Sequence, residues 1–148
     1  MYNTKKYELY LKEVANFEYN YTITNADELS KFCIEKLHLD VSDRERAVVI
    51  AVNTKGTIVG VHDVSIGDLH TSIVHPANVF KFCIMTNASA FFFAHNHPSG
   101  DVEPSNDDYS VTERLRDCGQ IMGIKLMDHV IVGHGATYSF VKNDSYLF

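Results

Sequence analysis

Apolar residues cluster in this chain in two continuous runs. Ala47-Val48-Val49-Ile50-Ala51-Val52 and the stretch from Ser89 to Ala94, with Phe91-Phe92-Phe93 inside it, read as buried strands. Elsewhere the pattern is periodic. Tyr7, Leu9 and Leu11 alternate with Glu8, Tyr10 and Lys12, a period-two strand signal. Asn25 with Glu28 resembles a capping box, and Leu29, Phe32, Cys33 and Leu37 then mark a helical face from about Ala26 to Leu37. Asn53-Thr54-Lys55-Gly56 turns the chain, and Thr57 to Val64 returns as the second strand of a hairpin. Ile73-Val74 adds a short edge strand. His75-Pro76 opens a helix with Pro at its first position, and Val79, Phe80, Cys83 and Ile84 carry it to Asn87. A further helix runs from Ser105 to Gly123, with Val111, Leu115, Cys118 and Met122 on one face and Gly123 at the C-cap. Ile124 to Val132 is a strand, and Thr137 to Lys142 completes a hairpin with it. The sum is an α/β (α+β) fold, a mostly antiparallel mixed sheet flanked by about three helices.

Composition narrows the classes. At 148 residues, 45% hydrophobic, the chain is long enough to bury a core and reads as one folded domain. No run is long enough to span a membrane, and the first residues have no apolar signal core, so the expected location is the cytoplasm. Three cysteines, Cys33, Cys83 and Cys118, are odd in number and far apart, which suits buried free thiols. The net charge of −6 does not favour nucleic-acid binding, which depends on Lys and Arg neutralising phosphates. Eight histidines justify a search for a metal site.

The chemistry gathers in Ala94-His95-Asn96-His97-Pro98-Ser99-Gly100-Asp101-Val102-Glu103-Pro104-Ser105-Asn106-Asp107-Asp108. In a strand, residues two apart share a face, so His95 and His97 can converge on one ion. Taken alone, that pair is more often two polar residues at a strand end. Ser105 and Asp108 alone read as a helix cap. The readings are compatible, because a carboxylate in the first helical turn is held ionised, as a metal ligand must be. Pro98, Ser99, Gly100 and Pro104 keep the connecting loop tight enough to fold the helix start back onto the strand end. Two His and one Asp would leave a fourth zinc position for water.

His-x-His-x7-Ser-x2-Asp resembles the JAMM (MPN+) metalloprotease signature, standing here as His95, His97, Ser105 and Asp108. The flanks, together with Asn53-Thr54-Lys55, His75-Pro76, Val79-Phe80-Lys81 and Asp128-His129, are similar to the RadC-like JAB branch of that superfamily. The likeness runs from roughly Tyr7 onward. It implies a cytidine-deaminase-like/MPN fold and one RadC-like MPN/JAB domain over residues 1–148, without the helix-hairpin-helix segment that longer relatives carry.

The resemblance also implies the roles. One zinc ion would be held by His95, His97 and Asp108, with water as fourth ligand. Glu45 would be the catalytic acid and base, and Ser105 would donate to the oxyanion. On the residues alone, Glu45 is a solvated charge within Asp43-Arg44-Glu45-Arg46. If the strand it opens pairs antiparallel with the one ending at His95, it comes beside the histidines. His129 reads as a hydrogen-bonded core residue that could line the site; His62, His70, His75 and His134 read as loop or surface positions. Ala77-Asn78 departs from the family, which usually has Arg-Glu there.

The expected function is zinc-dependent hydrolysis of an amide bond, with a protein or peptide substrate and no membrane partner. Homodimerisation is left open. The alternative is a DNA-repair-associated or mobile-element accessory protein that binds DNA or a DNA-processing partner. A non-catalytic interaction domain ranks last, because all the ligand positions are kept.

Overall fold

The computed structural model describes residues 1–18, 22–67 and 74–148. Its elements in order are α1 (Ala26–Glu35), β1 (Glu45–Val52), β2 (Ile58–Gly67), α2 (Pro76–Met85), β3 (Ala90–Asn96), α3 (Asn106–Met122), β4 (Lys125–Val132), β5 (Thr137–Ser139) and α4 (Phe140–Asn143), followed by a 3-10 turn at Ser145–Leu147. The strands form one open five-stranded sheet in the order β2-β1-β3-β4-β5. All pairings are antiparallel except β3 with β4, which are parallel and joined through α3. The fold is a mixed α/β architecture with a mostly antiparallel sheet, as expected, but with four helices among the described residues.

Both faces of the sheet are covered, which explains the unbroken apolar runs. On one face Val48, Ile50, Val52, Phe92 and Ala94 pack against Leu29, Phe32 and Cys33 of α1. On the other, Val49, Phe91 and Phe93 pack against Val79, Phe80 and Cys83 of α2 and Leu115 of α3. A smaller cluster of Ile131, Phe140 and Leu147 closes the β5 end. Burial pushes the thiols of Cys33 and Cys83 up to about 12, and Cys118 is half-buried.

Four expectations change. Tyr7 to Val14 forms no strand: Leu9 and Val14 are exposed, and all five strands come from residue 45 onward. Alternation makes a strand only where one face has something to bury against. Val74 is buried outside any strand, and Ile73 lies outside the described residues. The closing hairpin stops at Ser139, and Phe140 to Asn143 is helical instead. The cause is Asp128. Its buried carboxylate accepts from Ser139 Oγ and Val141 N, while Ser139 Oγ accepts from Lys142 N, which caps a helix start. Finally, the buried stripe of α3 is Thr112, Leu115 and Gly119, with Met122 exposed.

The caps follow the sequence more closely. Asn25 Oδ1 accepts from Glu28 N, and the Glu28 carboxylate reaches back to accept from Thr24 N. Gly123 ends α3 at φ 70°, where glycine is favoured. Gly119 allows α3 to lie against the chain that follows it, since a Cβ there would stand 2.5 Å from Ile124 O. Gly119→Ala gains about 1 kcal/mol of helix propensity but drives a methyl into a fixed backbone carbonyl, a cost of about 1–3 kcal/mol. The expected outcome is net destabilisation, read as a lower urea midpoint; the same substitution at exposed Gln120 should leave the midpoint almost unmoved.

Candidate metal centre

β3 carries the two histidines out of the core. His95 continues the row Phe91, Phe93, on the face shared with α2 and α3, and is buried. His97 follows two residues later, just past the strand. The two Nε2 atoms stand 3.0 Å apart.

Asp108 reaches them from α3. Its N-terminus lies at the carboxyl end of β3 because the loop 97–105 is short and anchored. His97 N donates to Val132 O, Gly100 N donates to His97 O, and Gly100 turns at φ 89°. Gly100 O rests on Gly133, where a Cβ would collide with it. At the helix start a capping box forms. Ser105 Oγ accepts from Asp108 N at 3.2 Å, and Asp108 Oδ2 accepts from Ser105 N at 2.8 Å. The box aims the carboxylate at the imidazoles: Asp108 Oδ1 is 3.0 Å from His95 Nε2, and Oδ2 is 3.2 Å from His97 Nε2. The cap and the site are therefore one structure.

These three residues fit a metal. Tetrahedral zinc with ligands at about 2.0–2.2 Å requires neighbouring ligand atoms about 3.3 Å apart; the two imidazole nitrogens are 3.0 Å apart, and one Asp108 oxygen lies 3.0 Å from His95 Nε2 and the other 3.2 Å from His97 Nε2. His97 Nδ1 lies 2.7 Å from Asp101 O, a carbonyl that can only accept. Nδ1 therefore carries a ring hydrogen, and Nε2 is the ring atom turned to Asp108 and the one that would bind a cation.

The electrostatics express the same demand for positive charge. Burial opposes ionisation of Asp108, but hydrogen bonds with His95 and His97 outweigh it and hold the carboxyl well below its usual range. The hydrogen bond with Asp108 raises His97 against its own burial.

Glu45 is the fourth member of the constellation. One of its carboxylate oxygens lies within 4.8 Å of ring nitrogens of both His95 and His97. Glu45, His95 and His97 are themselves a set that could hold a metal ion, and Asp108 contacts the same two imidazoles. The antiparallel pairing of β1 with β3 puts it there. The last paired residues are Ala47 and His95, and beyond them a side chain replaces the ladder. Asn96, buried on the opposite face of β3, accepts from Arg46 N at 2.7 Å and donates to Arg44 O at 2.9 Å. It thus clamps the peptide groups on both sides of Glu45. Nothing in the local pattern announces this role for Asn96.

Behind the triangle, His129 of β4 is fully buried, with its Nε2 2.7 Å from His95 Nδ1. It is both hydrogen-bonded core and site lining. Desolvation first, and the charge at His95 second, keep its imidazole well below the usual range. His62, His75 and His134 are exposed, as expected, and His70 lies outside the described residues. Ala77 and Asn78 are exposed on the first turn of α2.

Comparison with known proteins agrees with this arrangement. The model of the RadC-like JAB domain matches residues 23–146. The chain belongs to the RadC-like JAB domain family. Among curated relatives, a UPF0758 protein of Clostridioides difficile is 43% identical over 131 residues, covering 88% of this chain and 55% of the relative. One of Clostridium tetani is 40% identical over 125 residues, covering 84% of this chain and 54% of the relative. This RadC-like JAB domain thus spans about half the length of the curated relatives it matches. No helix among its described residues is long and apolar enough to cross a membrane.

The Asn96 clamp has a direct readout. Asn96→Ala removes the acceptor for Arg46 N–H, a hydrogen bond worth about 1 kcal/mol. Hydrogen exchange at the Arg46 amide should speed up several-fold while the Val49 amide, in the core of β1, stays protected. Unchanged exchange at Arg46 would show that the clamp does not hold Glu45 in place.

Proposed function

We propose that this RadC-like JAB domain is a zinc-dependent hydrolase that cleaves an amide bond, peptide or isopeptide, with water. The observation that carries the reading is the convergence of His95 Nε2 and His97 Nε2, 3.0 Å apart, on the Asp108 carboxylate, whose Oδ1 lies 3.0 Å from the first and Oδ2 3.2 Å from the second. The donor set of two imidazoles and one carboxylate suits zinc. A zinc ion held there would supply Lewis-acid activation of water near neutral pH.

The remaining work falls to the side chains. Glu45, with a carboxylate oxygen within 4.8 Å of the histidine ring nitrogens, takes the proton from the attacking water and returns it to the leaving amine. Ser105 Oγ accepts from Asp108 N, which leaves its hydroxyl hydrogen to donate to the developing oxyanion. Capping and catalysis use opposite ends of one hydroxyl, so the two duties do not conflict. Thr112 and His129 fill the space behind His95 and exclude solvent from that side.

Elemental analysis after expression in zinc-replete medium should find one zinc per chain in the wild type and in Glu45→Gln, and much less in His95→Ala. A panel of linear peptides and isopeptide-linked conjugates, incubated with both zinc-loaded proteins, should yield a substrate that Glu45→Gln cleaves at least about 100-fold more slowly. Zinc-free wild-type protein would sink the reading. Equal cleavage by Glu45→Gln would remove Glu45 from the mechanism and leave the metal site standing.

A further inference from the structure

Residues 7–14 carry the alternation of a strand and stand outside the sheet. Leu9, Tyr10 and Val14 are 76%, 79% and 88% exposed, and Tyr7 and Leu11 are exposed as well. The segment still has a strand's geometry at its centre. Tyr10 OH donates to Glu8 Oε2 at 2.5 Å, so side chains two apart share a face. Across from it lies β2, the end strand of the sheet, and the edge of such a strand is a template for pairing with another chain. Residues 8–17 form one wall of an open groove of about 1350 Å³, and Val59 and Val61 of β2 with Phe82 and Met85 of α2 line another. A small-molecule pocket has roughly 300–1,000 Å³, so this groove suits an extended peptide better.

The segment's own sequence identifies the occupant. Lys6-Tyr7-Glu8-Leu9-Tyr10-Leu11-Lys12-Glu13-Val14 is self-complementary about Tyr10 when laid antiparallel on itself. In that register Glu8 faces the partner's Lys12, Leu9 faces the partner's Leu11, and the two Tyr10 rings meet at the axis. Opposite charges, apolar pairs and aromatic pairs are the favourable neighbours across two strands. A shift of two residues one way sets Lys6 against Lys12, and the other way sets Leu9 against Glu13. Within one extended chain Glu8 and Lys12 are about 13 Å apart and do not meet.

We infer that two copies of this chain associate through residues 7–14, paired antiparallel about a two-fold axis at Tyr10. Each segment sits in its partner's groove, between the partner's own segment and the edge of β2. The arrangement is isologous and closes at two copies. It continues one sheet into the other and covers both β2 edges. Burying the exposed parts of Tyr7, Leu9, Tyr10, Leu11 and Val14 in both copies removes on the order of 1,000 Å² from water, the size at which specific interfaces begin. Nothing in this pairing draws on the metal centre, so it stands or falls separately from hydrolysis.

Analytical ultracentrifugation of the full chain should show a monomer–dimer equilibrium. Glu8→Lys sets Lys against the partner's Lys12, and Lys12→Glu sets Glu against the partner's Glu8. Each should weaken dimerisation about 10- to 100-fold. Glu8→Lys combined with Lys12→Glu exchanges the charges and should restore it. At a dilution where every variant is monomeric the urea midpoints should agree, because both side chains are exposed. A wild type that stays monomeric at about 1 mM, or a double variant no tighter than the single ones, would overturn the inference. So would protection of the residue 8–12 amides from hydrogen exchange in the monomer, which marks a strand folded onto its own β2.

Discussion

Two imidazole nitrogens and a carboxylate are held within 3.2 Å of one another, and the surrounding structure fixes each of them there. Each member has an independent tether. His97 is fixed by Asp101 O, Asp108 by its box with Ser105, and His95 by His129. The low-dielectric setting sharpens the requirement, because uncompensated charge is costly where water is scarce. A cation at the centre would take the place of the ring hydrogens that bind Asp108.

β3 supplies both kinds of support by simple alternation. Its odd-numbered residues lead from Phe91 and Phe93 to His95 and the site. Its even-numbered residues lead from Phe92 and Ala94 to Asn96, which turns away and grips the start of β1. One strand end therefore presents two imidazoles on one side and places the glutamate from the other. The antiparallel neighbour brings Glu45, and the parallel neighbour brings His129. A strand flanked in these two ways can gather residues from chain segments that are distant in sequence.

Features that depend on a residue's immediate neighbours were legible in the sequence. The strand spacing of His95 and His97, the Ser105–Asp108 cap and the central strands all follow from local periodicity. Glu45 needed one more element, the antiparallel pairing, and the geometry places it where that pairing implies. What escaped depends on contacts across the sheet. Asp128 looks like part of a strand, yet its buried carboxylate turns the next strand into a helix after Ser139. The apolar face expected for α3 is rotated because Thr112 and Gly119 take the central positions, one to meet His129 and the other to admit Ile124 O. The alternation at Tyr7 to Leu11 reads as a strand only if a partner surface is assumed, and Tyr7, Leu9 and Leu11 are exposed.

The burial of the cysteines bears on which atoms of this chain compete for a soft cation. Cys33 and Cys83 lose a proton only near pH 12, so at neutral pH neither presents the thiolate that binds zinc. Cys118 lies ten residues along α3 from Asp108, about 15 Å of helix, too far to exchange with the imidazoles. Packing has thus silenced two of the three cysteines, and the nitrogen and oxygen site faces no thiolate rival from these two core positions.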